Sequence, residues 1–341
     1  MTASRNTLHV SLVAVPEAMA STLSGIYDVL QSVHEIAGFR DAASDPPFAV
    51  EIVGETATPL QLASGLPLPV HRAIGDIDQT DIVIIPSLLV PNGNWKIGRY
   101  PPIVSWLSAV HRSGAMLCSA CSGIFLIAET GLFDGKDSAI HWSYANGFRR
   151  TFPAVRVLPE KALVTAGTRE ELVSSGASTS WHDLVLYLIA KHAGAAAAQT
   201  VTKFFALQAH QEGLAPYVVF DAPRDHGDGV VAAVQEWLQT HFSVANPIAE
   251  MVRQANLPER SFKRRFTTAT GYSPIAYVQR LRIEEAKRRL ERTRSSVDEI
   301  SWQVGYEDPA FFRRLFRRVT QLSPGAYRRK FSMPQPGSAQ G

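Results

Sequence analysis

The C-terminal part of the chain contains one pattern twice, and this repeat limits what it can fold into. The first copy runs from Ile248 to Tyr277 and the second from Val297 to Tyr327. Each copy reads as a short apolar helix, a tight turn and a second helix with a proline near its first position, where the missing N–H is not needed. Phenylalanines four residues apart give each second helix one apolar face. The repeat therefore predicts two helix-turn-helix units.

The second helix of each unit leaves cations on its outer face. These candidate DNA contacts are Arg260, Lys263 and Arg264 in the first copy and Arg313, Arg314 and Arg317 in the second. A solvated basic helix would show the same pattern in a single copy. Two copies at matched spacing, joined by a long helix predicted for residues 274–291, favour two recognition helices that enter the major groove. Ser273 and Ser323 precede the following helices, where free N–H groups suit phosphate.

Two stretches of this region resemble the AraC/XylS-type DNA-binding domain. They read SPIAYVQRLRIEEAKRRLE and VGYEDPAFFRRLFRRVTQLSPGAYRRKF. The resemblance implies a transcription regulator, and we expect promoter DNA and RNA polymerase as its partners.

Charge is distributed unevenly along the 341 residues. The net charge is +3, but residues 241–341 hold 19 Lys and Arg against 9 Asp and Glu, whereas residues 1–240 hold 15 against 22. A basic segment on an acidic body is typical of a phosphate-binding module attached to a domain with another task.

Two cysteines in a chain of this length do not form a disulfide framework. They are also too few for a metal site of soft ligands, and we predict neither a metal nor a cofactor. The sequence shows no apolar run long enough to span a membrane. We therefore expect a cytoplasmic protein without a membrane partner.

Short apolar runs alternate with helical patterns in the first half of the chain. The predicted strands are 8–15, 48–54, 81–87 and 115–120, and the predicted helices between them are 22–37 and 102–113. Continuous apolar runs, rather than strict alternation, indicate a parallel sheet covered on both faces. The predicted fold class is α/β, a flavodoxin-like sandwich, followed by an all-α domain with two helix-turn-helix units.

The strand 115–120 runs directly into Cys121, Ser122 and Gly123 and then into an apolar helix. A helix N-terminus lowers the pKa of a thiol and could make Cys121 a nucleophile. A buried structural cysteine is the commoner case, so the sequence leaves both interpretations open. Cys118 completes a C-x-x-C pattern, but its place inside the predicted strand disfavours a redox pair.

The stretch SACSGIFLIAETGLFDGKDSAIHW resembles the nucleophile elbow of PfpI-like, class I glutamine amidotransferase-like domains. More narrowly, it resembles GlxA-type regulators, in which such a domain precedes an AraC-type domain. Cys121 matches the elbow cysteine, and His141 with Trp142 matches the His-Trp pair of that branch. Ser122 departs from the histidine common in PfpI-like enzymes, and Glu17 is the only acid near the expected supporting carboxylate.

The resemblance implies a pocket that is kept as a ligand receptor. The candidate ligand-binding residues are Glu17, Ser87, Cys121, Ser122, His141 and Trp142. Of these, Cys121, His141 and Glu17 are also the candidates for a vestigial catalytic set. The alternative function is a Cys121-dependent amidase or deglycase-like hydrolase tethered to DNA.

We predict three segments, with the main boundary in the turn-rich stretch 211–228. They are an effector-sensing domain over residues 1–222, a DNA-binding domain over residues 223–333 and a disordered tail over residues 334–341. The predicted function is sequence-specific transcription regulation, controlled by a small molecule such as an amino acid or another nitrogenous metabolite. We expect a homodimer formed through the first domain.

Overall fold

The computed structural model describes residues 7–36 and 45–332, so the predicted tail 334–341 lies outside the described residues. The chain divides into two compact units, Met1–Leu214 and Ala215–Gly341. The division falls inside the predicted linker but before the predicted boundary at residue 222. The reason is that Phe220 and Ala222 already pack against the core of the second unit, and Lys287 Nζ donates to the Val218 carbonyl.

The first unit is built on a seven-stranded sheet with the order β10-β11-β7-β6-β1-β2-β5. All neighbouring strands are parallel except β10 and β11, which are antiparallel. Two further pairs, β3 with β4 and β8 with β9, stand apart from the main sheet. The strands are β1 Leu8–Val13, β2 Phe48–Gly54, β3 Leu60–Gln61, β4 Pro67–Leu68, β5 Arg72–Ala73, β6 Ile82–Ile85, β7 Met116–Ala120, β8 Asp137–Ser138, β9 Arg156–Val157, β10 Leu163–Ala166 and β11 Leu172–Ser175.

Helices cover the sheet of the first unit in two groups. One group packs α1, α2, α6 and α7 together, and the other contains α3 and α4. The helices are α1 Ala20–Gln31, α2 Val33–Ile36, α3 Pro101–Arg112, α4 Ile124–Ala128, α5 Trp142–Thr151, α6 Trp181–Ala193 and α7 Ala195–Phe205. The predicted α/β class is confirmed. The helix predicted for residues 22–37 is divided at Ser32, and residue 37 lies outside the described residues.

The carboxyl ends of β1, β6 and β7 lie side by side in the sheet. The segments that follow β1 and β6 are joined to each other, because Met19 N donates to Ser87 O at 2.8 Å and Leu89 N donates to Glu17 O at 2.8 Å. The segment after β7 begins with Cys121. The carboxyl edge of a parallel sheet is where α/β proteins bind ligands, and here it collects four of the predicted ligand-binding residues: Glu17, Ser87, Cys121 and Ser122.

The second unit is helical and contains the two predicted helix-turn-helix units. Its helices are α8 Gly229–His241, α9 Pro247–Ala255, α10 Glu259–Thr270, α11 Pro274–Arg292, α12 Val297–Gln303, α13 Pro309–Thr320 and α14 Pro324–Phe331. The phenylalanines of α10 and α13 predicted to face inward are fully buried: Phe262, Phe266, Phe312 and Phe316.

The long helix α11 belongs to the cores of both helix-turn-helix units. Tyr277 and Val278 pack in the first core, whereas Ile283 and Leu290 pack in the second. Between them, the guanidinium of Arg282 is 7% exposed and donates to three main-chain carbonyls at 2.8 Å, those of Phe242, Val244 and Gly305. These contacts fix the segment before α9 and the turn after α12 to the same point of α11.

Candidate functional site

Cys121 stands at a strained turn directly after β7. Its φ of 52° lies in the left-handed region, which a non-glycine residue adopts at a cost. Cys121 to Gly123 form one turn of 3₁₀ helix before α4 begins at Ile124. A Cβ atom on Gly123 would come within 2.5 Å of the Ile85 carbonyl oxygen, so only glycine lets this turn approach the end of β6.

The thiol of Cys121 is buried among hydroxyl groups. Its polar neighbours are the side chains of Ser87, Ser122 and Ser178. Burial raises the pKa of Cys121, and the hydrogen bonds from the serines offset this only in part. Burial therefore opposes the lowering that a helix N-terminus would cause, and it favours the buried structural cysteine among the two interpretations that the sequence leaves open. Burial also raises the pKa of Cys118.

The hydroxyls of the two predicted ligand-binding serines, Ser87 and Ser122, have different hydrogen-bond partners. The Ser122 hydroxyl donates to the Leu88 carbonyl at 2.6 Å and accepts from the Leu88 N–H at 2.8 Å. Ser122 therefore fastens the elbow to the segment after β6 and offers little to a ligand. The Ser87 hydroxyl is buried beside the thiol and has no hydrogen-bond partner of normal geometry among the described residues.

His141 caps helix α5, which the sequence did not predict. Its Nδ1 accepts from the Ser143 N–H at 3.2 Å, and this hydrogen bond places the ring proton of the neutral form on Nε2. The imidazole lies 5.2 Å from the Trp142 ring and 5.8 Å from the Tyr144 ring, centroid to centroid. Burial lowers the pKa of His141, which favours the neutral imidazole.

Tyr144 lies in the neighbourhood of both the histidine and the cysteine. Its ring is 5.8 Å from that of His141, centroid to centroid. Burial raises the pKa of its phenol, and the charge of a Cys121 thiolate would add to this effect. Among the described residues, no hydrogen bond joins His141 to Cys121. The structure thus brings Cys121, Ser87, Tyr144 and His141 into one neighbourhood, in which a hydrolytic Cys-His pair is not formed.

Glu17 is held by partners that the sequence analysis did not identify. Its side chain is 11% exposed, forms an ion pair with Arg99 and accepts a hydrogen bond from the Tyr100 hydroxyl. Burial and this carboxylate raise the pKa of Tyr100. The Arg99 guanidinium also lies 5.7 Å from the centre of the Tyr100 ring. Glu17 is therefore engaged with a cation and a phenol, and does not orient a catalytic histidine.

A carboxylate–histidine pair lies near the end of the first unit. Asp183, in the first turn of α6, accepts from the main-chain N–H of His210 at 2.8 Å and lies 2.7 Å from its Nδ1. The pair anchors the segment after α7 onto α6. Among the described residues, no hydrogen bond joins Asp183 to His141.

Within residues 7–36 and 45–332, no group of three His, Cys, Asp or Glu side chains is arranged to hold a metal ion. None of the described helices is long and apolar enough to cross a membrane.

The first recognition helix, α10, presents Arg260, Lys263 and Arg264 on its exposed side. Lys263 forms an ion pair with Glu259 at 2.5 Å, one turn earlier on the same helix. Arg264 lines a groove of about 450 Å³ that Ser261 and Thr268 also border. An exposed pair between side chains on one helix is weak, so Lys263 can exchange Glu259 for phosphate at little cost.

The second recognition helix, α13, presents Arg314 and Arg317 on its exposed side, and they are joined there by Arg318. Arg313 is exposed as well but forms an ion pair with Asp298 of helix α12. This contact turns its guanidinium toward the neighbouring helix. The nearest carboxylate of Arg314, that of Asp308, is 4.0 Å away.

Ser273 and Ser323 are both N-cap residues. Their hydroxyls accept from Ala276 N at 3.3 Å and Ala326 N at 3.2 Å. The Ser273 hydroxyl therefore caps α11, and the Ser323 hydroxyl caps α14. The other N–H groups in the first turn of each helix have no partner within the helix and point out of its N-terminus. The first-turn proline of each helix supplies no N–H.

Sequence reasoning missed four residues near the predicted ligand-binding residues: Arg99, Tyr100, Tyr144 and Ser178. Tyr144 could have been found from its place two residues after Trp142. The others lie far along the chain from Glu17 or Cys121, and nothing in their local pattern marks them.

Comparison with known proteins finds relatives for the helix-turn-helix domain and a similar fold among solved structures. The model of a helix-turn-helix domain family of the AraC type matches residues 251–330. The regulator GlxA from Rhizobium meliloti is 26% identical over 66% of this chain and 68% of its own length. The regulator CdhR from Pseudomonas aeruginosa is 27% identical over 70% of each chain.

The fold also has a solved counterpart. The crystal structure of a Vibrio parahaemolyticus protein assigned as a transcriptional regulator covers 58% of this chain and 98% of its own, with a TM-score of 0.50 and 20% identity. This likeness concerns the fold alone. The match of residues 251–330 to the AraC-type model and the similarity to two named transcriptional regulators lead to one conclusion. The chain is a DNA-binding transcription regulator that combines an α/β domain with an AraC-type double helix-turn-helix domain.

Proposed function

We propose that this regulator reads an operator of two unlike half-sites through the outer faces of α10 and α13. The observation that carries the proposal is the shared helix α11, whose residues belong to both helix-turn-helix cores. Two recognition helices fixed to one rod can enter major-groove segments about one DNA turn apart. The half-sites differ because the exposed residues of the two helices differ.

Within α13, the two neighbouring arginines have different surroundings and should have different roles. Arg314 lies 4.0 Å from the Asp308 carboxylate, whereas Arg313 is in closer contact with Asp298 on α12. We assign base or phosphate contacts to Arg260, Lys263 and Arg264 of α10 and to Arg314 and Arg317 of α13, and a positioning role to Arg313. The helix ends at Ser273 and Ser323 are assigned to phosphates, through main-chain N–H groups rather than hydroxyls.

The experiment is affinity selection of sheared genomic DNA by the purified chain at moderate salt, followed by binding measurements on the selected operator. We expect two unlike half-sites about one turn apart. Arg314→Ala should weaken operator binding by about 10- to 100-fold, the loss typical of one base-contacting arginine. Arg313→Ala, the matched control one residue away, should weaken it by less than about threefold.

An absence of any sequence motif, with binding that vanishes as salt is raised, would contradict sequence-specific recognition. Equal losses for the two variants would contradict the assignment of different roles to Arg313 and Arg314. Light scattering of the same protein–DNA complexes tests the homodimer that we propose through the first unit. A monomer mass at every concentration would remove the dimer.

We further propose that residues 1–222 sense a small molecule at the carboxyl edge of the sheet. The supporting observation is the group formed by Cys121, Ser87, Tyr144 and His141, which combines hydroxyls, a neutral imidazole and aromatic rings beside a strained turn. Trp142 contributes a ring next to His141. Such a mixture of apolar walls and a few polar groups is typical of a small-molecule site.

A nitrogenous metabolite suits this neighbourhood because the hydroxyls of Ser87 and Tyr144 can accept hydrogen bonds from N–H groups, while the Nε2–H of His141 can donate to an oxygen of the same metabolite. When the ligand displaces Arg99, the Glu17 carboxylate becomes a further polar group of the proposed site. The effector would favour one arrangement of the protein over another and thereby change its affinity for DNA. RNA polymerase at the promoter and a cytoplasmic location complete the proposal.

We propose that the elbow is not a hydrolase site. A nucleophile needs a base within hydrogen-bond reach and a group that orients the base. Cys121 has serines as its polar neighbours, and Glu17 is occupied by Arg99 and Tyr100. The related proteins are transcriptional regulators, as their names state.

The effector site and the hydrolase alternative make opposite predictions for two variants. Metabolites from the pathways encoded beside the selected operators are added, and the change in operator affinity is measured. We expect His141→Ala to weaken the effector response by about tenfold or more, because a hydrogen-bonding ring is lost from the pocket, and Cys121→Ser to retain it. Turnover of the metabolite that disappears in Cys121→Ser would instead establish the hydrolase.

A further inference from the structure

One stripe of the second recognition helix combines an aromatic ring with two cations. Phe311, Arg314 and Arg318 follow each other at spacings of three and four residues and therefore lie on one side of α13. The side turned away from this stripe carries the buried Phe312 and Phe316. Phe311 is 41% exposed, although Phe312 and Tyr306 beside it are buried. The stripe thus presents an apolar ring one turn before the first of its two arginines.

The ring of Phe311 packs against another aromatic ring. It lies 5.8 Å from the ring of Tyr306, centroid to centroid, and the Arg282 guanidinium lies 4.9 Å from the same Tyr306 ring. The helix begins at Pro309, and the Asp308 carboxylate accepts from Ala310 N at 2.8 Å. Phe311 therefore belongs to a capped first turn with little freedom to lose on binding.

The position of Phe311 in the helix decides what it can touch. In helix-turn-helix proteins, residues near the N-terminus of the recognition helix contact base edges in the major groove. In the first unit the equivalent residue is Ser261, while Arg264 is equivalent to Arg314. The two helices therefore share the central arginine of the stripe and differ in the residue one turn before it.

We propose that Phe311 is a specificity-determining residue, which packs against the C5-methyl group of a thymine in the second half-site. The thymine methyl is the apolar group that base pairs present in the major groove, and phenylalanine is among the side chains that contact it. Ser261 offers a hydroxyl at the same place in the first half-site. The two half-sites thus differ most at the base facing this position. The inference rests on the proposed DNA-binding face of α13.

The test uses the full chain and its selected operator, in which each thymine of the second half-site is replaced in turn by deoxyuridine, which lacks only the methyl group. For the wild-type protein, we expect one replacement to weaken binding by about fourfold, the effect of one buried methyl-sized group. Phe311→Ala and Phe311→Ser should bind thymine and deoxyuridine operators equally at that position. Ser261→Ala is the matched control and should keep the wild-type response in the second half-site.

Two results would overturn the inference. One is a wild-type affinity that ignores every deoxyuridine replacement in the second half-site, and the other is a methyl response that Phe311→Ala retains. Either of these, combined with specific operator binding by the wild type, leaves the proposed function standing and removes only the role of Phe311. Failure of the wild type to select any operator would remove the proposed function itself.

Discussion

Arg282→Met should lower the free energy of unfolding of the second unit by about 3 kcal/mol or more. The substitution keeps most of the side-chain volume but removes all donors, so the carbonyls of Phe242, Val244 and Gly305 lose their partner in a buried place. Each such orphaned carbonyl costs about 1–3 kcal/mol. Water cannot easily replace the guanidinium, since the Gly305 backbone and the Tyr306 ring close around it.

The measurement is hydrogen exchange of the amides of α11 as a function of urea, which reports the second unit within the intact chain. Arg288→Met on the same helix is the matched control, because the Arg288 side chain is 57% exposed and pairs with Glu285 on the surface. We expect the control to change stability by less than about 1 kcal/mol. Similar losses for the two variants would show that the three carbonyl contacts contribute nothing particular.

Gly123→Ala should destabilise the first unit by about 2–4 kcal/mol, a large effect for the addition of one methyl group. The added Cβ would approach the carbonyl oxygens of Ile85 and Pro86 to 2.5 and 2.6 Å. Both are backbone atoms at the end of β6, so relief requires the elbow to move away from the sheet. The movement would also displace Cys121 and the Ser122 hydroxyl that binds Leu88.

Scanning calorimetry of the full chain measures this effect, and we expect the transition of the first unit to fall by roughly 5–10 °C. Gly75→Ala is the control in the same unit, because its Cβ would meet nothing within 4 Å and its backbone is not left-handed. An unchanged midpoint for Gly123→Ala would mean that the elbow can separate from β6 freely. The site would then be less rigid than its geometry indicates.

The duplicated half of the fold could be predicted from sequence because its signals are local and repeated. Phe262 and Phe266 define an inner face in one copy, and Phe312 with Phe316 repeats it at the same spacing. The predicted long helix ends within one residue of the observed end at Arg292. Two independent copies of one periodicity leave few competing folds.

The polar contacts of the sites could not be predicted, because they join residues that are distant in sequence. Glu17 meets Arg99 across 82 residues, and Ser122 meets Leu88 across 34. Arg313 and Asp298 belong to different helices, and their pairing depends on the angle between these helices. A one-dimensional pattern can show that a side chain points outward, but not which partner it finds there.

Helix α5 shows a different reason for a missed element. Its sequence includes Asn146 and Gly147, both poor helix formers, so local propensity gives no sign of a helix there. Gly147 is required by tertiary packing, since a Cβ there would come within 2.3 Å of the Gly93 carbonyl oxygen. The packing of Gly147 against Gly93 outweighs the low helix propensity of these residues, and His141 is the N-cap of the resulting helix.

Helix α11 has a consequence for how the operators of this regulator can diverge. Its 19 residues form a rod of roughly 28 Å, shorter than the 34–36 Å of one DNA turn. Base substitutions change individual contacts and so weaken an operator by degrees. A single inserted or deleted base pair rotates one half-site against the other by about 35°, and a continuous helix cannot follow that rotation. Operators across a genome should therefore vary in base sequence but keep the same number of base pairs between the two half-sites.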